Sequence, residues 1–233
     1  MIFIYINNFI SKYTRLVVIP RFATALFIIF QLMGMFLYPG GTMYNFASEG
    51  YTFSENFFSD MGAYTARNGE PNYLSMILFS FSLSIVGVTF ILYYFTLPLV
   101  FKSDKINFLL ASIGTLFAFI GSICLIGTGL TPSDLVLESH QFFANNIFYS
   151  FLITSFFYTI AIFRSNEIEK KYAIGYFIFF SSILIYVGIL NFGPSADVNN
   201  PALIFQVVSQ KIIVLVFVLS VLHQTFCFSK FND

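Results

Sequence analysis

Residues 106–130 read INFLLASIGTLFAFIGSICLIGTGL, a run of 25 residues without a single Asp, Glu, Lys or Arg. A membrane-spanning helix needs about 20 predominantly apolar residues, so this stretch is long enough to cross a bilayer. Polar segments bound it on both sides, KSDK at residues 102–105 and TPSD at residues 131–134. The stretch therefore predicts one transmembrane helix that ends in polar turns.

Five further apolar stretches have the same character, so the sequence predicts six spanning helices. Their bounds are about 22–38, 73–101, 106–130, 141–163, 172–192 and 202–228. Composition agrees, because 58% of the residues are hydrophobic and only 9% are charged, against roughly 25% in soluble domains. We expect an all-α, six-transmembrane-helix bundle that forms a single integral membrane domain over residues 1–233. A soluble or disordered chain is excluded, and a net charge of zero argues against nucleic-acid binding.

Small residues recur on one face of the third predicted helix. Ala111, Gly114, Ala118 and Gly121 follow each other at spacings of three and four. Small residues let helices approach closely in a membrane, where no hydrophobic effect drives them together. The pattern favours tight helix packing over a channel lining.

Positively charged residues lie almost entirely on one side of the predicted topology. With six spans, both termini share a side with the loops after the second and fourth helices. That side holds nine of the eleven Lys and Arg residues, and only Arg67 and Lys211 lie elsewhere. Because cytoplasmic loops retain Lys and Arg, both termini are predicted to be cytoplasmic (N-in/C-in). We expect the membrane to be a bacterial-type inner or plasma membrane.

The N-terminal segment, residues 1–19, carries Lys12 and Arg15 after several apolar positions. Cations ahead of an apolar stretch are also typical of a signal peptide. The stretch lacks a small-x-small cleavage site, which favours a retained first span. The segment itself is either a short amphipathic helix along the cytoplasmic interface or a frayed tail.

The polar residues that packing does not explain gather on the predicted outer side. The loop between the first two helices is about thirty residues long, and such loops are usually functional or disordered. We expect this loop and the later outer segments to form one polar cluster that binds a ligand. The predicted ligand-binding residues are Ser59, Asp60, Asp134, His140, Asn145, Gln210 and Lys211.

Lys211 is the most costly residue in the predicted membrane region. It lies ten residues after Pro201, about 15 Å along a helix. A lysine at that depth costs several kcal/mol unless it snorkels or finds a partner. We expect Lys211 to pair with Asp60 or a neighbouring acid beneath the outer loops. Such a pair either locks the loop onto the bundle or forms part of a shared polar site.

Four short motifs on the predicted outer side look familiar. The stretch FFSDMGA at residues 57–63 resembles the hydrophobic-Ser-Asp-x-Gly motif of two groups of six-helix membrane proteins. One is the prokaryotic domain of unknown function 998 family, and the other is the eukaryotic family of damage-regulated autophagy modulators and GPI-anchor lipid-remodelling proteins. GTGLTPSD at residues 127–134 is similar to the prokaryotic Gly-x-x-Pro-x-Asp. SHQFFA at residues 139–144 and QKI at residues 210–212 resemble their His-small and Glu/Gln-Arg-Ile motifs.

The resemblance covers most of the chain by topology and implies a role in membrane or lipid homeostasis. It implies no reaction. Lys211 stands where the motif of those families more often has arginine. The positive charge is therefore kept, but the paired N–H groups with which arginine binds a carboxylate or phosphate are lost. Recognition of a carboxylate or phosphate would then be less exacting.

Two classes of function fit these residues. In the first, the outer cluster binds membrane lipid headgroups or a protein partner, such as a second copy or the subunits of a larger complex for which the chain is a scaffold. In the second, the protein is an intramembrane lipid hydrolase, with Ser59, Asp60 and His140 as candidate catalytic residues. We favour the first.

Neither class requires a cofactor, and no metal site is predicted. The chain has only two His, and His223 lies far along the last helix from Lys211, which excludes a three-histidine zinc site. A mixed site of His140 with carboxylates stays chemically open. Transport finds less support, because no pair of broken helices is evident.

Overall fold

The computed structural model describes residues 10–166 and 168–229, and within these ranges it contains helices and no β-strand. Six long helices form the bundle: α1 (Ile19–Leu37), α2 (Tyr73–Thr96), α3 (Lys105–Leu130), α4 (Leu137–Arg164), α5 (Lys170–Phe192) and α6 (Asn200–Phe228). Each of them, together with any turn that continues it, is long and apolar enough to cross a membrane. The prediction of an all-α fold with six spans is confirmed.

The first span begins earlier than the sequence suggests. A π-helical turn, Thr14–Val18, leads directly into α1, and Leu16 and Val17 are buried in it. The later part of the predicted interfacial segment is therefore the start of the first span. Residues 1–9, where the rest of that prediction falls, lie outside the described residues.

Polar side chains fix the starts of two helices. Asp104 accepts hydrogen bonds from the N–H groups of Ile106 and Asn107 at 2.8 and 3.1 Å at the start of α3. Asn199 accepts from the Ala202 N–H at 2.9 Å at the start of α6. Such caps satisfy N–H groups that have no partner within the helix. α4 begins at Leu137, earlier than predicted, which places His140 in its first turn.

The six helices close into a ring. Consecutive helices pack against each other, and α6 also returns to α1. Arg21 of α1 joins the two, because its Nε donates to Thr225 Oγ1 at 2.9 Å and its guanidinium lies 4.8 Å from the Phe226 ring centre. This contact closes the bundle at the end where both termini lie.

The predicted small-residue packing occurs between α3 and α4, which form the most extensive helix pair. A Cβ atom at Gly114 would lie 3.0 Å from the Tyr158 ring, and one at Gly121 would lie 2.8 Å from the Phe151 ring. Ala118, between them, is fully buried. The stripe is a packing surface, and larger side chains there would push the helices apart.

Aromatic rings fill the middle of the bundle. The Phe217 ring of α6 lies 5.5 Å from Phe90 of α2, 5.0 Å from Phe151 of α4 and 5.0 Å from Phe179 of α5, measured between ring centres. Offset and edge-to-face arrangements at such distances are favourable. We call these four residues the aromatic floor, and two of them, Phe90 and Phe217, line the cavity described below.

The orientation of the bundle can be tested by cysteine labelling. We expect Lys102→Cys, between α2 and α3, to react with a membrane-impermeant maleimide only after cells are permeabilised. Glu70→Cys, before α2, should react in intact cells, because it lies on the predicted outer side. Both positions are exposed, whereas the native Cys124 and Cys227 are buried. The reverse labelling pattern would contradict the N-in/C-in prediction.

Candidate functional site

Residues 38–72, which connect α1 to α2, fold over one end of the bundle, and we call them the plug. Its centre is a short 3-10 helix, Phe58–Gly62, whose later residues are buried. Gly41 has a φ angle of 86°, and a Cβ atom there would lie 2.3 Å from the Asn68 nitrogen. Glycine is thus required where the two halves of the plug meet. The long loop predicted from the sequence is an ordered lid on the helices.

Asp60 is the central charge of the plug and is only 5% exposed. Its Oδ1 accepts from Nε and Nη2 of Arg67 at 3.2 and 3.1 Å. Its Oδ2 accepts from the Phe57 N–H at 2.9 Å and from Asn56 Nδ2 at 3.2 Å. A buried carboxylate with this many donors is well compensated. Asp60 therefore organises the plug and has little capacity left for a ligand.

Lys211 supports the plug from below and is 6% exposed. Its ammonium donates to the Tyr51 hydroxyl at 2.8 Å and to the Asn56 carbonyl at 2.7 Å. The rings of Tyr51, Phe53 and Phe58 surround it, with centres 5.1, 5.1 and 4.5 Å away. Cation–π contacts of this kind are strongest where water is excluded.

The expected ion pair between Lys211 and Asp60 is not formed, and Asn56 lies between the two charges. Asn56 donates its Nδ2 to Asp60 and offers its carbonyl to Lys211. Arg67 is the ion-pair partner of Asp60 instead, because its fork places two N–H groups on one carboxylate oxygen. Lys211 thus locks the plug onto α6, which was the first of the two roles expected for it.

Three further polar side chains pair with backbone groups of the plug. Asp134 accepts from the N–H groups of residues 64 and 65 at 2.8 and 2.9 Å. Gln210 Oε1 accepts from the Phe58 N–H at 3.0 Å. Asn72 Nδ2 donates to the carbonyls of Met61 and Ala63 at 2.9 and 2.8 Å. Asp134 and Gln210, predicted to bind a ligand, thus have structural partners already.

Two tyrosines of the plug remain protonated at neutral pH. Burial raises the pKa of Tyr38 to about 12, and the nearby Asp60 carboxylate acts in the same direction. Burial raises the pKa of Tyr51 further above its ordinary value, again with a contribution from Asp60. The Tyr51 hydroxyl can therefore donate to the Asn56 carbonyl at 2.8 Å while it accepts from Lys211.

A cavity lies beneath the plug and is walled by every helix except α5. The space open to the centres of water-sized spheres is about 130 Å³, roughly ten times what one water requires. Ser59, His140 and Gln210 line its end under the plug, and the lining residues farthest from the plug on α1, α2 and α6 are Thr24, Phe90 and Val221. None of the described residues along it is an Asp, Glu, Lys or Arg.

His140 is held in one orientation at the plug end of this cavity. It is 4% exposed, and its Nδ1 lies 2.6 Å from the Thr131 carbonyl. A carbonyl can only accept, so Nδ1 carries the proton and Nε2 of the neutral ring is an acceptor. Ser59 lines the same cavity, and its hydroxyl makes no hydrogen bond with another described residue. Asp60 forms its hydrogen bonds within the plug and none with His140, so the three predicted catalytic residues form no hydrogen-bonded triad.

Asn145 is exposed and is not among the residues that line the cavity. One residue earlier on α4, Ala144 does line it, because successive helical side chains point in different directions. Within residues 10–166 and 168–229, no three His, Cys, Asp or Glu side chains come together as metal ligands. The mixed zinc site that sequence left open is therefore not assembled by the described residues.

No family model, curated protein or solved structure matches this chain. The family resemblance seen in the four motifs accordingly stays a prediction.

Sequence reasoning missed several residues that build the site. Tyr51, Asn56, Arg67 and Asn72 hold the plug, and Gln31 of α1 lines the cavity. Two of these residues are recognisable in the sequence. Arg67 is the only cation on the predicted outer side besides Lys211, and Gln31 is a lone amide within an apolar span, where it needs a hydrogen-bond partner.

The locking role of Lys211 predicts a loss of stability in Lys211→Met. The change removes two hydrogen bonds of the buried Lys211 ammonium, to the Asn56 carbonyl and to the Tyr51 hydroxyl, so the free energy of unfolding should fall by about 1–3 kcal/mol. Thermal unfolding in detergent measures this, and limited trypsin digestion after the exposed Arg67 should become faster. The matched control is Lys171→Met, because Lys171 is exposed and pairs with an exposed Glu169. Equal stability and equal digestion of both variants would contradict the role.

Proposed function

We propose that this protein is a multi-pass membrane protein of lipid homeostasis that holds the chain of one membrane lipid in the cavity beneath the plug. The lipid's polar end lies beside Ser59, His140 and Gln210. The observation that carries the proposal is the cavity itself, which is lined mostly by apolar side chains and has Ser59, His140 and Gln210 together at its plug end. Lipids have this same division, with one polar end on a long apolar chain.

The depth of the cavity matches one leaflet of a bilayer. Along α6 the lining runs from Gln210 to Val221, eleven residues or about 16 Å of helix. The hydrocarbon core of a bilayer is about 30 Å thick, so one leaflet contributes about 15 Å. A single chain anchored at the plug would end near Val221.

The proposal narrows the polar cluster expected from the sequence. Three of its members form their hydrogen bonds with groups of the plug, namely Asp60, Asp134 and Lys211. The groups that remain for a ligand are the Ser59 hydroxyl, His140 Nε2 and Gln210 Nε2. The resemblance to lipid-remodelling membrane families supports a lipid as that ligand. The charge asymmetry of the loops supports a bacterial-type inner membrane with both termini in the cytoplasm. A protein partner or second copy on the outer face is the competing interpretation.

A cavity-filling substitution tests this function. Val214→Phe places a larger side chain in the cavity, whereas Leu215→Phe changes a 57% exposed neighbour on the same helix. We expect lipid that co-purifies with the wild-type protein, detected by native mass spectrometry, to be lost from Val214→Phe. Leu215→Phe should retain it, because its ring faces away from the cavity. Absence of lipid from the wild type, or equal retention by both variants, would reject the proposal.

A second candidate function, lipid ester hydrolysis, is favoured by one observation. Ser59 and an oriented His140 line the same cavity, and His140 Nε2 is an acceptor. In this reaction the Ser59 oxygen attacks the ester carbonyl and its proton passes to Nε2. Nε2 then protonates the departing alcohol, and water later releases the fatty acid from Ser59 by the same route.

Fatty-acid release from a monoacylglycerol in micelles distinguishes the two functions. A hydrolase would release fatty acid, and Ser59→Ala or His140→Ala would slow the release by about a hundredfold or more. Ser54→Ala, elsewhere in the plug, would leave the rate unchanged. No release by the wild-type protein would exclude hydrolysis and leave lipid binding as the function.

A further inference from the structure

One residue of the cavity wall has a polar atom without a hydrogen-bond partner among the described residues, and this atom indicates the chemistry of the ligand. Gln31 of α1 is 4% exposed and lines the cavity. Its Nε2 donates to Ser82 Oγ of α2 at 2.6 Å, whereas its Oε1 is buried without a hydrogen-bond partner among the described residues.

The orientation of the Gln31 amide is fixed by its neighbour. The Ser82 hydroxyl donates its single proton to the Phe79 carbonyl at 2.7 Å, so toward Gln31 it can only accept. Gln31 must therefore present Nε2 to Ser82, which leaves Oε1 on the other side of the amide. A buried amide oxygen without a partner is costly, and a donor supplied within the cavity would remove that cost.

Other polar side chains that line the cavity also donate their protons to backbone carbonyls of the protein. Thr24 and Thr128 donate their hydroxyl protons to backbone carbonyls of their own helices, and His140 donates Nδ1–H to the Thr131 carbonyl. Each can then only accept from a ligand. The donors that remain, the Ser59 hydroxyl and Gln210 Nε2, lie at the plug end.

None of the described residues that line the cavity is a cation, so binding of an anionic headgroup there is unfavourable. Lys211, the nearest ammonium on α6, is engaged by Asn56 and Tyr51 inside the plug. A phosphate or carboxylate drawn into an uncharged cavity would lose its hydration without a counter-charge. A wall of acceptors without charge instead suits a neutral head that carries a donor.

Resting on the proposed lipid-binding function, we infer that the ligand is an uncharged single-chain lipid with a hydroxyl or amide N–H that donates to Gln31 Oε1. Gln31 is then the residue that selects for the donor, and the apolar wall accommodates the chain. Of the α1 residues that line the cavity, Gln31 is the nearest to the plug, so the donor sits toward the plug side of the cavity.

Three probes with the same alkyl chain and different head groups test the inference. Hexadecanol has the donor, hexadecyl methyl ether lacks it, and hexadecyl phosphate carries the charge. Each competes with a fluorescent alkyl probe for the full-length protein in detergent, with correction for partition into empty micelles. We expect the wild type to prefer the alcohol over the ether by about tenfold and to bind the phosphate more weakly than the alcohol.

Two variants assign the preference to Gln31. Gln31→Leu keeps the size of the side chain but removes the acceptor, so the alcohol and the ether should bind equally. Gln224→Leu removes another buried amide whose Oε1 lacks a partner among the described residues, but Gln224 does not line this cavity, so the preference should persist. Thermal unfolding checks that each variant is folded.

The outcomes separate this inference from the function on which it rests. Equal binding of the alcohol and the ether by the wild type overturns the inference, because Oε1 is then satisfied by water and not by the ligand. This outcome needs only the wild type, so it holds even if Gln31→Leu does not fold. Preference for the phosphate overturns it as well. If none of the three probes binds, the proposed lipid-binding function itself fails.

Discussion

The backbone of the plug imposes the constraint on which the rest of the molecule depends. Its central turns run against the ends of apolar helices, where N–H and C=O groups cannot rely on water, and unpaired groups there are costly. A 3-10 turn of five residues satisfies few of them itself. Side chains complete the pairing, with Asp60, Gln210 and Asp134 accepting from N–H groups and Asn72 and Lys211 donating to carbonyls.

This constraint separates the polar residues into two sets. Those that pair with the plug backbone are structural, even though they include the charges that first suggest a binding site. The remaining set belongs to residues that line the cavity beneath the plug, and its members make no hydrogen bond with another described residue: the Ser59 hydroxyl, His140 Nε2, Gln210 Nε2 and Gln31 Oε1. The function proposed here follows from this second set, because only uncommitted groups can be used by a ligand.

The sequence predicts the helices well because each depends on local information. An apolar run of sufficient length between polar turns can satisfy its backbone only as a helix, so the bounds of α3 and α6 agree to within a few residues. The site depends on long-range pairing, which leaves no local trace. Nothing in the chain order indicates that Arg67 rather than Lys211 reaches Asp60, or that Asn56 lies between the two charges. Likewise, the tautomer of His140 depends on the Thr131 carbonyl at the end of α3, which His140 reaches only because α4 begins at Leu137.

Two rings of the aromatic floor, Phe90 and Phe217, separate the cavity from a second space. Phe217 packs on three rings from α2, α4 and α5, so its movement would disturb contacts to three helices at once. The second space is smaller, is bounded by Tyr93 and Gln224, and shares Phe90 and Phe217 with the cavity. In the proposed function, a lipid chain that entered the second space would displace these rings and lose their packing. The rings that hold the bundle together therefore also separate the proposed lipid site from that space.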